Sequence, residues 1–304
     1  MQRRARLTAA AAALVAAAAA AFWIATAPDL LPASAVPAHR PDLANGRALF
    51  HAGSCLWCHR PAPEAKAADA SLPSGGAPFP TPVGTFFPQN LTPDRDTGLG
   101  RWSELDFVNA MARGVSPGGR HYFPAFPYAS FRVMKVEDLL DLRAYLMSLP
   151  AVRSPEREPA LRLPLAAVAR RGVGLWKRLA LRSETVVPEP GHGGSWNRGR
   201  YLVASVGHCG ECHTPRNLLM VPDASRLLAG GAHPGGEGQV PGLRGLLARK
   251  RYEDAGDLVA ALQFGETYGY DKLSSGGMGA IQENLAKLPE TDLRAMADYL
   301  VTLE

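Results

Sequence analysis

Two five-residue phrases, Cys55-Leu56-Trp57-Cys58-His59 and Cys209-Gly210-Glu211-Cys212-His213, contain all four cysteines of the chain. Each is the C-x-x-C-H pattern by which a c-type haem is attached. Thiols three residues apart lie about one helical turn apart, so each can form a thioether to one vinyl group of the porphyrin. The histidine that follows is then placed to coordinate iron from the proximal side. Both phrases continue as His-x-Pro, namely His59-Arg60-Pro61 and His213-Thr214-Pro215. A proline there removes a donor and stiffens the turn, leaving carbonyls free to accept the ring N–H and fix the histidine tautomer. A lone C-x-x-C also serves as a redox dithiol or as half of a zinc site. Two copies, each with its His and Pro and with no cysteine left over, favour two covalently attached haems c, and they leave no thiol for a structural disulfide.

Such groups need helices to carry them and irregular backbone to wall the crevice, and the 26 prolines and 31 glycines suit the second need. A length of 304 residues accommodates two domains of ordinary size. A helical phrase precedes each motif: Leu43 to Phe50, with Gly46-Arg47, and Arg198 to Val203, with Gly199-Arg200, the second set one residue further from its cysteine. A matching helix closes each copy, Val136 to Leu146 and Glu290 to Leu300, and Leu139 and Leu293 each stand 84 residues after the first cysteine of their motif. Equal spacing marks a duplicated domain, with copies over residues 42–150 and 191–304. These helices also read as ordinary amphipathic core elements, and as scaffold.

Residues 1–35 form a separate unit. Arg3, Arg4 and Arg6 precede a run from Leu7 to Ala27 whose only polar breaks are Thr8 and Thr26. The basic flank predicts an N-terminus held in the cytoplasm, with the following chain exported. About 20 apolar residues can span a bilayer, so the segment reads as an uncleaved anchor. The alternative is a signal peptide cut after Ala33-Ser34-Ala35, although signal h-regions usually run about 7–15 residues. Residues 151–190 are basic, with eight Arg or Lys against four Glu. Within this linker Leu165, Val168, Leu175, Trp176 and Leu179 fall on one helical face, and Arg170, Arg171, Lys177 and Arg178 on the other. Such a helix could rest on anionic lipid. The favoured expectation is packing across the haem domains with the basic face in water. Gly172 and Gly174 weaken it in either case.

The stretch Gly84-Thr85-Phe86-Phe87-Pro88-Gln89-Asn90-Leu91-Thr92-Pro93-Asp94, continuing Thr97-Gly98-Leu99-Gly100-Arg101-Trp102, closely resembles a segment of the cytochrome c subunits of periplasmic alcohol and gluconate dehydrogenases. The resemblance extends over both copies, residues 42–150 and 195–303. It is poorer in the second, where Val240-Pro241-Gly242-Leu243 stands in place of the longer loop. It implies an all-α fold of two tandem class I cytochrome c-like domains after the N-terminal transmembrane or signal helix, a first helix crossing a last helix beside each haem. Subunits of that family usually carry three haems on a membrane-anchored chain; this chain has two motifs. The resemblance further implies a periplasmic electron carrier. Its donor would be a dehydrogenase subunit, and its acceptor a quinone, a soluble cytochrome or a terminal oxidase. The membrane would hold it through the N-terminal helix. No nucleic-acid, phosphate-loop or Ser/His/Asp motif stands out in the sequence.

The sixth iron position separates carrier from catalyst, because a carrier wants two protein ligands and little rearrangement on reduction. For the second haem the family places a distal methionine where Gly276-Gly277-Met278-Gly279-Ala280 stands, which designates Met278. Met220 and Met296 are expected in the core. For the first haem the family phrase Tyr-Pro-Ala-Met-Pro-Tyr is replaced by Phe123-Pro124-Ala125-Phe126-Pro127-Tyr128, and phenylalanine cannot ligate iron. His121, after the loop Pro117-Gly118-Gly119-Arg120, is the preferred substitute, with Met134 the other candidate; a five-coordinate iron shielded by Phe126 is a third arrangement. That last arrangement keeps open an alternative function, a dihaem redox enzyme of the peroxidase or thiosulfate dehydrogenase type. His51 and His208 are expected against porphyrin edges, and His39, His192 and His233 in water. Arg101, Trp102 and Arg216 are candidate partners for haem propionates.

Overall fold

Short helices, each started or stopped by an identifiable residue, account for most of the order in the chain. The structure, a computed structural model, describes residues 2–66, 70–162, 166–181, 186–235, 238–267, 271–272 and 277–304; Leu165 and Gly276, named above, lie outside the described residues. Helix α1 (Gln2–Ala25) buries none of its residues. Helix α2 (Leu43–Ala52) starts where the Asp42 carboxylate accepts the N–H groups of Ala44 and Asn45. Helix α3 (Cys55–Cys58) is the single turn carrying the first cysteine pair. Strands β1 (Phe79–Thr81) and β2 (Gly84–Phe86) form a hairpin. Helix α4 (Glu104–Arg113) opens with a reciprocal Ser103–Asp106 capping box and ends at Gly114, whose φ of 60° suits a left-handed cap. Helices α5 (Tyr128–Phe131) and α6 (Val136–Met147) complete the first half. Strand β3 (Ala160–Leu161) and helix α7 (Ala166–Ala180) follow. The second half holds α8 (Gly194–Ala204), α9 (Gly210–His213), α10 (Ala255–Phe264), α11 (Met278–Leu285) and α12 (Glu290–Leu300).

The two halves repeat one packing scheme. Helix α2 crosses α6, and α8 crosses α12. Each crossing is made at a glycine. A Cβ on Gly46 would lie 2.6 Å from the carbonyl carbon of Asp141, and one on Gly199 2.9 Å from the amide nitrogen of Met296, so only glycine admits backbones this close. The Gly-Arg phrase seen twice in the sequence is therefore a crossing point. A polar clasp sits beside each: Asn45 Nδ2 donates to Asp138 at 2.8 Å, and Arg198 grips Asp292 through two bonds of 2.9 and 3.1 Å. Leu49, Leu139, Leu142 and Leu146 in the first half, and Leu202, Leu293, Met296 and Leu300 in the second, belong to one continuous core. Met296 is buried there, in agreement with its sequence reading.

The segment after residue 150 departs from the expected linker. Its first dozen residues line the first half instead of leaving it. The carbonyl of Val152 accepts from Asn90 Nδ2 at 2.7 Å, β3 pairs with β2 in the register Gly84↔Leu161, and the Arg157 guanidinium lies 4.1 Å above the Phe87 ring. The Asn90 side chain needs a backbone partner, and this strand supplies it. Of the basic face of α7, Arg178 is exposed but Lys177 is not simply in water. The Lys177 ammonium donates to the carbonyls of Arg113 and Gly114, both at 2.7 Å, capping the C-terminus of α4, where the dipole favours a cation. Arg171 donates to the Trp23 carbonyl at 2.7 Å. The apolar Val168, Leu175 and Leu179 are exposed as well.

Candidate haem centres

Each C-x-x-C-H phrase winds into a one-turn helix, which puts its two cysteines on one side and its histidine next in line. Burial pushes the Cys55 and Cys209 thiols up to about 12 and the Cys58 thiol up to about 11. A redox dithiol needs a depressed thiol, so these pairs do not fit that chemistry. Among the described residues no three His, Cys, Asp or Glu side chains converge as a metal-ion cage, which removes support from the zinc reading.

The histidines show the closest correspondence. His59 donates Nδ1–H to the carbonyl of Gln89, and His213 donates Nδ1–H to the carbonyl of Pro241, both at 2.7 Å. That bond leaves the lone pair on Nε2, which makes no hydrogen bond to any described residue. Burial lowers both imidazoles below their ordinary value, so they stay neutral, the form that ligates metal. An orienting carbonyl on the far ring nitrogen is the usual support of a ligating histidine. The cysteine pairs and these imidazoles fit covalently held haem on the chemistry of their donor sets.

The acceptor carbonyls lie in distant loops, not in the His-x-Pro turns. Each loop is set by a second pair of backbone bonds. Gly75 donates to the His59 carbonyl at 2.9 Å and Gly230 to the His213 carbonyl at 2.7 Å; Leu91 donates to Pro73 and Leu243 to Leu228, both at 2.8 Å. Gly75 and Gly230 have φ of 70° and 79°, and a Cβ on either would meet the acceptor loop at about 2.5 Å. Val240-Pro241-Gly242-Leu243 thus occupies the place of Pro88-Gln89-Asn90-Leu91, with a different sequence. The sequence reading already set this segment in place of that loop, and the backbone bonds show how a different sequence serves there.

The distal candidates fare unevenly. Met278 begins α11, directly after Gly277, whose φ is 92°. A Cβ on Gly277 would lie 3.0 Å from the Trp57 indole, so the first attachment phrase touches the loop carrying Met278. His121 is buried, but both ring nitrogens are engaged. Its Nε2 lies 2.9 Å from the Thr26 carbonyl and its Nδ1 3.3 Å from Lys177 Nζ. The structure therefore gives His121 no nitrogen free for iron, against the preference drawn from sequence. The cause is the turn at Gly119, φ 73°, which folds Ser116–Arg120 back on itself and points the imidazole toward α1 and α7. Met134 is buried in the core cluster beside Phe131 and Leu139. Phe126 is boxed by Tyr122, Tyr128 and Phe131.

Other residues singled out by sequence also find definite places. His51 is buried, and His208 lies at the contact between the halves, its Nε2 3.2 Å from the Gly53 carbonyl. His39 is not simply solvated; it donates to the buried Asp141 at 2.7 Å. Arg216 pairs with Glu211 at 2.6 Å and Arg101 with Asp96 at 2.9 Å. Met220 is exposed on a turn at φ 58°, not in the core. The second attachment phrase adjoins α5 of the first half: Ser130 Oγ donates to Glu211 at 2.9 Å, and the Phe131 ring lies edge-on to His208 at 5.7 Å.

Crossed first and last helices over two C-x-x-C-H turns with oriented, neutral histidines define a c-type cytochrome. The cytochrome c family matches residues 43–150. A "Diheme cytochrome c-type" protein of Cereibacter sphaeroides is 39% identical over 85% of this chain and 85% of its own length. The chain belongs to the cytochrome c family. It is also 33% identical to the "Fructose dehydrogenase cytochrome subunit" of Gluconobacter japonicus, over 86% of this chain and 53% of that protein. The "Gluconate 2-dehydrogenase cytochrome c subunit" of Pantoea cypripedii is likewise 33% identical, over 85% of this chain and 58% of that protein. Against these longer relatives the chain corresponds to a part. Its role is electron transfer through covalently bound haem c.

Proposed function

We propose that the chain is a membrane-tethered dihaem carrier on the periplasmic side, taking electrons from a dehydrogenase subunit and delivering them to a quinone, a soluble cytochrome or a terminal oxidase. Cys55 and Cys58 hold one haem and Cys209 and Cys212 the other, with His59 and His213 as proximal ligands and Met278 as the distal ligand of the second. Bound haem supplies a one-electron iron couple. The chain's own residues fix the imidazoles through the carbonyls of Gln89 and Pro241, exclude water, and bring the two halves into contact beside the second attachment phrase. The observation carrying this reading is the pair of matched 2.7 Å bonds that leave each Nε2 free. The dehydrogenase donor is supported by relatives whose names are dehydrogenase cytochrome subunits. The tether is supported by α1, whose 24 residues would reach about 36 Å, beyond the ~30 Å of a bilayer core.

The engagement of both His121 nitrogens favours a second reading of the first haem, with an open iron behind Phe126 and hence enzyme chemistry. Haem counting on Cys209→Ala/Cys212→Ala, together with electron paramagnetic resonance of the oxidised native protein, tests both. One haem in the variant and two low-spin signals in the native protein are the outcomes for a saturated carrier. A high-spin signal that shifts on adding a small anion supports the open iron, and two haems in the variant would sink the attachment assignment.

A further inference from the structure

Helix α7 is built inside out for a helix surrounded by water. Its inward face is Arg170, Val173, Gly174 and Lys177. Val173 is buried, Gly174 is packed against the Thr26 carbonyl, and the two cations are committed to Glu158 and to the end of α4. Its outward stripe, at spacings of three and four residues, is Val168, Arg171, Leu175 and Leu179, of which the three apolar members are 52%, 41% and 70% exposed. An amphipathic helix normally turns such a stripe into the core. Exposed apolar surface gathered on one element marks a contact with something apolar.

What covers the stripe follows from its continuity with α1. Arg171, in the middle of the stripe, donates to the Trp23 carbonyl and stacks its guanidinium 4.1 Å above the Trp23 ring. His121 and Gly174 hold the Thr26 carbonyl one turn further on. The end of α1 is thus clamped to α7, so the depth at which α1 leaves the bilayer fixes the depth of α7. Trp23 is the kind of residue that sits at a membrane–water boundary. The Trp176 indole also ties down an exposed turn, Leu218–Met220, by donating to the Leu219 carbonyl at 2.8 Å. Arg178, exposed and three residues after Leu175, suits anionic headgroups.

We propose that α7 and the Leu218–Met220 turn lie in the headgroup region of the membrane, forming a second lipid contact that holds the haem domains at a fixed height and orientation above the bilayer. The proposal rests on the reading of α1 as an anchor. It is tested on the full-length holoprotein, whose native cysteines are consumed by haem, so that a single new cysteine is the only thiol to label. Leu14→Cys, Leu175→Cys, Leu179→Cys and Glu290→Cys carry an environment-sensitive fluorophore in vesicles of phosphatidylcholine and phosphatidylglycerol. The expected result is severalfold weaker iodide quenching at 14, 175 and 179 than at 290, with quenching of the same three labels by lipid-borne nitroxide. Labels at 175 and 179 as accessible to iodide as the one at 290, with 14 protected, overturn the proposal and leave the anchor standing. Labels at 175 and 179 protected from both quenchers put protein on that face and likewise overturn it. Iodide access at all four positions overturns the anchor reading and the proposal together.

Discussion

The hydroxyl of Tyr201, on the second half of the molecule, donates to the Asp138 carboxylate on the first at 2.5 Å and accepts the Lys135 amide at 3.0 Å. Asp138 is also the partner of Asn45 in the crossing of α2 and α6. One carboxylate therefore serves a helix crossing and the contact between halves. Tyr201→Phe keeps the ring in the core but removes the donor. Because a hydrogen bond to a charged group contributes about 1.5–3 kcal/mol, the variant is expected to unfold at lower denaturant while binding two haems. Chemical denaturation of the holoprotein measures this; an unchanged midpoint would mean that the contact contributes nothing.

Gly230→Ala addresses the carbonyl that orients His213. The glycine has φ 79°, and a Cβ there would lie 2.5 Å from the Gly242 amide nitrogen. Strain of about 1–3 kcal/mol is relieved by displacing the loop that carries Pro241, loosening the Nδ1 bond. The expected outcome is a change in the potential and ligand-field spectrum of one haem only. Gly75→Ala should do the same to the other haem through Gln89. A redox titration resolving two components checks both, and a change shared equally by the two haems would contradict the assignment.

What was legible in the sequence, and what was not, follows from which atoms do the work. The attachment phrases are side-chain chemistry at fixed spacing, and they could be read directly. So could the duplication, because Gly46 and Gly199 are required by close backbone approach to the closing helices and Leu139 and Leu293 each stand 84 residues after the first cysteine of their motif. The acceptor carbonyls of Gln89 and Pro241 were not legible, since a carbonyl belongs to every residue and its aim depends on the loop. The sequence pattern of α7 separated Val168, Leu175 and Leu179 from Arg170 and Lys177, but it gave neither their orientation nor the place of Arg171 among the outward residues. Lys177 turns inward to the last carbonyls of α4, a demand set by another element. Met220 looked like core by type, yet it sits on an exposed turn.

Acid sensitivity should trace in part to His51. Burial, aided by the charges of Lys287 and Arg47, lowers its imidazole from 6.5 to about 4. The folded state then holds fewer protons than the unfolded chain between these values, so stability rises with pH across that window. The stabilising effect of the neutral ring is complete above pH 6.5 and is lost as pH falls toward 4. At 1.36 kcal/mol for each pKa step the loss is at most about 3.4 kcal/mol. Denaturation of the holoprotein at several pH values should show this slope, and His51→Gln should flatten it. A slope of equal size in the variant would assign the effect to other groups.

His121→Ala separates a structural imidazole from an iron ligand. The ring bridges Thr26 at the end of α1 and Lys177 on α7. Donation from Nε2 to the carbonyl leaves Nδ1 to accept from the ammonium, so one tautomer satisfies both bonds. Removing the ring leaves a buried carbonyl without its donor and an ammonium short of one acceptor, a loss of about 1–3 kcal/mol. The expected result is lower stability with both electron paramagnetic resonance signals in place, because neither ring nitrogen reaches iron in this arrangement. Disappearance of one low-spin signal would show instead that the loop after Ser116 swings over the first haem when it is attached. The hydrogen bonds to Thr26 and Lys177 would then describe the chain only before haem is in place.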